Sequence, residues 1–210
     1  MIRQVNLHPR SKPTKSHSNF YLGIDPGRDG AAVLLRGPVA VVACSWKIVR
    51  RKKTSVFQFK IATPDRLESI EYLPRASSLG FDIAHMVSAH CDSIPCIGIE
   101  DVYVGRNVKS SITLARMCGM ICAPLEQTFF TEASRVMAPE WRQVVLGLKR
   151  NIKRDVAKRS SLSMIPLRVK MMPSILTHLG SYDHITDAAG IAEWVRLKGD
   201  LENGSDSKKY

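Results

Sequence analysis

Phe20–Leu35, FYLGIDPGRDGAAVLL, sets one carboxylate, Asp25, at the end of an apolar run and follows it at once with Pro26, Gly27 and Gly30. Asp before Pro-Gly is ordinary turn chemistry, because the Asp side chain bonds nearby backbone and Gly supplies the dihedrals a tight turn needs. The same placement would also present a functional acid at a strand end. These residues alone fit both readings, and the rest of the chain decides between them.

Outward from that turn, FYLGID, AAVLLRG and VAVVACSW are short β-rich runs separated by PGRDG and GP, the pattern of an antiparallel three-strand meander. RRKKTSVFQFKIATPD, from Arg50, either extends that sheet or forms a basic loop, and periodicity does not separate the two. A weaker helical pattern from Leu73 to His90 leads into IPCIGIE, Ile94–Glu100, a short apolar run suited to a buried strand ending on a carboxylate. In NVKSSITLARMCGMICA, Val108, Ile112, Ala115, Gly119 and Cys122 recur at helical spacing behind Asn107, a suitable N-cap. SRVMAP reads as a further strand, with helices around Glu140–Leu146, Asn151–Met164 and Asp183–Lys198. Strands first, then strands alternating with helices, give a mixed α/β domain over 20–198. It is flanked by a disordered basic arm, 1–19, and a disordered tail, 199–210.

Composition narrows the function. Lys and Arg outnumber Asp and Glu by 31 to 19, a formal charge of +12 with a pI near 9.7. That is the electrostatic footprint of a protein that meets a polyanion, with nucleic acid first among the partners. No apolar run approaches the roughly 18 residues a spanning helix needs, and Met1–Ser18 has no hydrophobic signal region. A soluble cytoplasmic protein is expected, in a bacterial cell or in the host cytoplasm if phage-encoded. The five cysteines, Cys44, Cys91, Cys96, Cys118 and Cys122, are an odd count in apolar segments, which suits reduced thiols. Cys91 and Cys96 with His85 and His90 match no standard zinc spacing, and packing is the better reading. Cys118 and Cys122, one helical turn apart, fit a shared buried stripe.

Asp25 and Glu100 each close an apolar strand, and strand ends in α/β sheets are where ligands gather. A third acidic group opens the last helix in SYDHITDAAGIAEW, where Asp183, His184 and Asp187 lie three and four apart. Acids there also serve as an ordinary helix start, because the N-terminus favours negative charge. The small Ala188, Ala189, Gly190 and Ala192 let that helix approach a sheet closely, so the acids can converge. Phosphodiester hydrolysis by two Mg2+ ions roughly 4 Å apart needs such a group of oxygen ligands.

GIDPG, IEDVYVGRNVKSSITLARMCGM, LGLKRNIKRDVAK and HITDAAGIA, taken in this order, resemble the RuvC family of Holliday junction resolvases in the RNase H-like nuclease superfamily. The resemblance runs from Phe20 to about Arg196 and is weakest over Trp46–Ser93. It implies an RNase H-like fold with Asp25, Glu100, His184 and Asp187 as ligands of two Mg2+ ions, with Mn2+ able to substitute. Asp183 is then a neighbour of undecided role. It further implies that Tyr103 stacks near the junction centre, and that Lys153, counted with the catalytic residues, and Arg142 stand near the scissile phosphate. Homodimers matching the two-fold symmetry of a four-way junction follow as well, with VKSSITLARMCGM a candidate for part of the interface. Lys149 departs from the small residue usual in that loop.

Independently of the resemblance, Lys149, Arg150, Lys153, Arg154, Lys158 and Arg159 cluster against the single acid Asp155, and several share a helix face. With Arg106 and Lys109 they form the expected DNA-tracking surface. The function implied is a Mg-dependent structure-specific endodeoxyribonuclease that resolves junctions by paired symmetric nicks in recombination and repair. Flaps, forks or RNA:DNA hybrids as substrates of the same chemistry remain open, as does a non-catalytic junction-binding module. An actin-like ATPase, which also begins on an Asp-x-Gly strand, would need a second domain for which the chain is too short.

Overall fold

The computed structural model describes residues 18–51, 54–72, 78–101, 108–180 and 182–206. β1 (Phe20–Asp25), β2 (Gly30–Arg36) and β3 (Val39–Arg51) form the expected antiparallel meander, with Gly23 opposite Val33 and Ala32 opposite Cys44. β4 (Thr54–Ala62) and β5 (Leu67–Tyr72) continue it, so the basic stretch after Arg50 extends the sheet. After α1 (Ser78–Ser88), β6 (Cys96–Glu100) returns parallel to β1. α2 (Val108–Phe129) then leads to β7 (Ser134–Val136), which lies parallel to β6. The seven-stranded order is β5-β4-β3-β2-β1-β6-β7. α3 (Ala138–Leu146), α4 (Arg154–Arg168), α5 (Pro173–Leu179) and α6 (Tyr182–Asp206) complete the chain. This is the expected mixed α/β architecture, a central sheet opened by an antiparallel meander and flanked by helices.

Strand alternation sends side chains to two cores. Leu22, Ile24, Leu34, Phe57 and Phe59 pack on one face with Leu79, Ile83, Ile121 and Leu125 of α1 and α2. Val33, Leu35 and Ala43 pack on the other with Trp141, Ile165, Ile175, Ala188 and Ile191 of α3 to α6. Central strands covered on both faces read as continuous apolar runs, which is why FYLGID and AAVLL lack polar alternation. Cys118 and Cys122 share the first core as the spacing predicts. The short α5 was not anticipated. α6 continues to Asp206, so 199–206 is helix where a tail was expected; Arg196 and Asp200, one turn apart, are ion-paired at 2.9 Å across that boundary.

One close approach positions the site. Gly23 of β1 and Gly98 of β6 face each other in register. A Cβ on Gly23 would overlap the backbone of Ala188 and Ala192, and one on Gly98 would meet Val195 and Ile191. α6 therefore lies directly on the β1–β6 pair, with its first turns at the strands' carboxyl ends. Gly23→Val should destabilise the fold by about 1–3 kcal/mol or more, because the obstacle is backbone that cannot rotate away. Thermal unfolding checks this; an unchanged midpoint would place α6 elsewhere.

Candidate functional site

Asp25 and Glu100 directly follow the last recorded β1–β6 pair, Ile24 and Ile99, so their carboxylates leave the sheet side by side. α6 brings its first turns to the same end. His184 Nδ1 lies 2.6 Å from Asp25 Oδ2. One turn on, Asp187 Oδ2 accepts a hydrogen bond from Arg142 Nη2 of α3 at 2.9 Å, with both side chains only 16% exposed. The four proposed ligands, Asp25, Glu100, His184 and Asp187, thus come together from three elements.

The electrostatics record that convergence. Burial pushes Glu100 up to about 8, helped by the neighbouring charges of Asp25 and Asp187 and opposed by Arg142 and the Trp141 indole. Glu100 keeps some solvent contact, and Trp141 Nε1 approaches it without reaching hydrogen-bond geometry. Burial also raises Asp187, against the lowering effect of Arg142. His184 is raised by its hydrogen bond to Asp25, although burial works the other way. Such a group of acids repels itself unless positive charge stands beside it.

All three groups bind a proton more tightly in the folded chain than in the unfolded one. The contribution of Glu100 is full below the ordinary carboxylate range and is lost as pH rises towards about 8; that of Asp187 is likewise lost as pH rises above the carboxylate range, and that of His184 as pH rises above the ordinary imidazole range. Without divalent cation, the unfolding midpoint of the wild type should therefore fall relative to that of Glu100→Gln between pH 5 and 8. A constant difference would place the carboxylates apart.

The donor chemistry fits a hard divalent cation. Three carboxylates and one imidazole gather at this end of the β1–β6 pair, and Asp187 Oδ1 is buried without a hydrogen-bond partner. Among the described residues, no three His, Cys, Asp or Glu side chains stand close enough together to ligate one ion as they are placed. Arg142 instead supplies the positive neighbour of Asp187, and the His184 ring hydrogen-bonds Asp25.

The other predicted residues divide. Asp183 pairs with Lys158 of α4. Arg142, expected beside the scissile phosphate, is engaged with Asp187 and stacks over Trp141 at 4.9 Å. Lys153 is the exposed N-cap of α4, and among the described residues it makes no ion pair with the carboxylates. Lys149 and Arg150 lie in the turn after α3 rather than on a helix, with Arg150 donating to Gln143 Oε1 at 3.0 Å. Arg154 opens α4 and is exposed. Lys109 lines a cleft of about 430 Å3 with Arg28, Thr113 and Met117, beside the turn that follows Asp25. Tyr103 and Arg106 lie outside the described residues.

Sequence reading missed Arg28 and Trp141 as neighbours of the site, and placed Lys158 with the DNA-tracking cations where it pairs with Asp183. The signal for Trp141 was Gly190, where a Cβ would strike the indole ring.

No family model matches this chain, and no curated protein matches it. Among solved structures it is similar to RuvC of Thermus thermophilus, with 12% identity and a TM-score of 0.46, covering 88% of this chain and 96% of that one. It is also similar to T. thermophilus RuvC in complex with a Holliday junction substrate, with 10% identity and a TM-score of 0.48, covering 89% and 96%.

Proposed function

We propose that this chain is a metal-dependent, structure-specific DNA endonuclease that resolves four-way junctions by paired symmetric nicks, serving recombination and repair. The observation that carries the reading is the convergence of Asp25, Glu100, His184 and Asp187 at one end of the β1–β6 pair, in a chain of net charge +12. Phosphodiester hydrolysis of this class draws on divalent cations for a nucleophile at neutral pH and for charge stabilisation at the leaving oxygen. Those four residues would hold Mg2+, or Mn2+ in its place.

The chain's own groups have definable tasks. Positive charge held at the cluster would favour the ionised form of Glu100, because burial and two neighbouring acids are what raise it. Arg142 keeps Oδ2 of Asp187 and leaves Oδ1 available. His184 is oriented by Asp25 through Nδ1, which leaves Nε2 as the ring's remaining donor atom. Lys109 and Arg28 in the cleft, with Lys149, Arg150, Lys153 and Arg154 around the start of α4, are the residues proposed to hold phosphates and position DNA without reading its sequence. Tyr103 and Arg106 are proposed beside them from the resemblance alone.

The two-fold symmetry of a junction calls for two sites, and the homodimer is part of the proposal. Val108 and Ile112, 60% and 48% exposed on α2, support that helix as part of the interface. Among the described residues no helix is long and apolar enough to cross a membrane.

The test is cleavage of an immobile four-way junction beside matched flap, fork, linear duplex and RNA:DNA hybrid substrates with Mg2+. Paired nicks at symmetric positions on the junction are expected. Cleavage of flaps, forks or hybrids with the junction left whole would replace the resolvase by a nuclease of the same chemistry. Binding without cleavage in Mg2+ and Mn2+ would make the chain a binding module.

A further inference from the structure

The stretch that resembles the family least, Trp46–Ser93, builds the outer part of the sheet, and its β3–β4 pair overruns the rest. β2 stops pairing with β3 at Gly30 and Trp46, whereas β3 and β4 continue from Lys47 opposite Gln58 to Arg51 opposite Thr54. Gly30 is at the Asp25 end of the sheet, since Asp25 pairs with Ala31. The overhang therefore projects past the same edge as the acidic centre. Its five residue pairs extend about 16 Å, near the length of five base pairs of duplex at 3.4 Å each.

The ribbon is fastened to the site. Trp46 Nε1 donates to Gly27 O at 3.1 Å, fixing β3 to the turn that presents Asp25. Ser174 Oγ of α5 donates to Pro64 O at 2.9 Å in the β4–β5 turn. Trp46, Ile48, Phe57 and Phe59 pack one face into the core shared with α1. The opposite face is covered by α5 only as far as Gly180. Beyond it Ser45, Lys47, Gln58 and Lys60 line a groove of about 140 Å3 with Leu179 and Gly180, two residues before α6 begins. Lys47 is exposed and Lys60 half-buried, and among the described residues neither has an acid partner. Glu71, the acid beside them on β5, accepts from Gln58 Nε2 at 3.0 Å. As diagonal neighbours across two strands, Lys47 and Lys60 are about 7–8 Å apart, a spacing suited to successive phosphates.

We propose that this groove is a second phosphate-tracking surface, on which Lys47 and Lys60 hold the backbone of the DNA arm leaving the acidic centre past the α5–α6 turn. A polar sheet face is ordinarily just solvated. Here it is concave, carries two cations without an acid partner among the described residues, and continues from the proposed point of cleavage along the β3–β4 ribbon. The inference rests on the reading of the chain as a DNA enzyme, and adds the path that one arm takes.

The test is the salt dependence of binding of the full chain, without divalent cation, to an immobile four-way junction and to linear duplex. Lys47→Gln with Lys60→Gln should weaken junction binding on the order of tenfold and reduce the slope of log K against log salt by about two, since each phosphate contact contributes about 0.9. Lys47→Gln alone, on an exposed side chain that the fold does not need, should remove about one. Arg66→Gln, in the turn at the other end of β4, should leave the slope unchanged. Equal slopes for wild type and both Lys variants would overturn the proposal, whatever the wild type cleaves. A slope lost in the variants while the wild type leaves junctions uncut would keep the ribbon surface and refute the resolvase. Failure of the wild type to bind either DNA would refute both.

Discussion

Asp25→Asn and Glu100→Gln should each reduce junction cleavage by at least about a thousandfold while leaving junction binding nearly unchanged. Loss of charge stabilisation worth several kcal/mol at the reacting phosphate corresponds to that factor. Binding, by contrast, arises from basic surface that neither substitution touches. Folding is not the cause in either case. Glu100→Gln replaces a carboxyl that burial already holds towards its neutral form, so the variant should be at least as stable as wild type at pH 8. Asp25→Asn keeps an oxygen able to accept from His184. Rates under single turnover with enzyme in excess, beside binding isotherms in EDTA, check both halves. Full cleavage by either variant removes that residue from the chemistry.

His184 gives the second large effect. His184→Ala should lose at least about tenfold to a hundredfold in cleavage, the range seen when support for a metal site is removed. His184→Asp should keep activity but move preference from Mn2+ towards Mg2+, because an oxygen donor replaces the softer nitrogen. It also puts a carboxylate against Asp25 where an imidazole now lies 2.6 Å away. Without divalent cation this variant should therefore melt below wild type, and with Mg2+ it should recover more. If His184 instead moves a proton during reaction, His184→Asp loses activity sharply and its pH profile loses the step near neutrality. A fully active His184→Ala would exclude both roles and direct attention to Asp183.

Much of this arrangement was legible before any coordinate. Asp25 and Glu100 announce themselves because each ends an apolar strand, and the parallel pairing of β1 with β6 then brings them side by side. The run Ala188–Ala192 marks the side of α6 that must lie against the sheet, which fixes where His184 and Asp187 arrive. The outer strands were ambiguous for a physical reason. From Val56 to Lys60 only Phe57 and Phe59 are buried, and the polar Gln58 and Lys60 beside them resemble a solvated loop. α5 is a single short helix closed by Gly180, too brief for periodicity to register. Pairings such as Arg142 with Asp187 and Lys158 with Asp183 join helices far apart in sequence, and no local spacing encodes them. The resemblance placed Arg142 with the phosphate contacts, and a cation gives the same sequence signal whether it meets DNA or neutralises a nearby acid.

Whether these acids form a divalent-metal centre is decided by calorimetric titration of the full chain with Mn2+ at pH 7.5, in two buffers of different ionisation enthalpy. Saturable binding that Mg2+ displaces is expected. Proton release should accompany binding in wild type and fall in Glu100→Gln, because metal binding requires its ligands deprotonated. Binding itself should be lost when Asp25→Asn and Asp187→Asn are combined. Undiminished binding by that double variant, or no saturable binding by the wild type, would contradict a metal centre there.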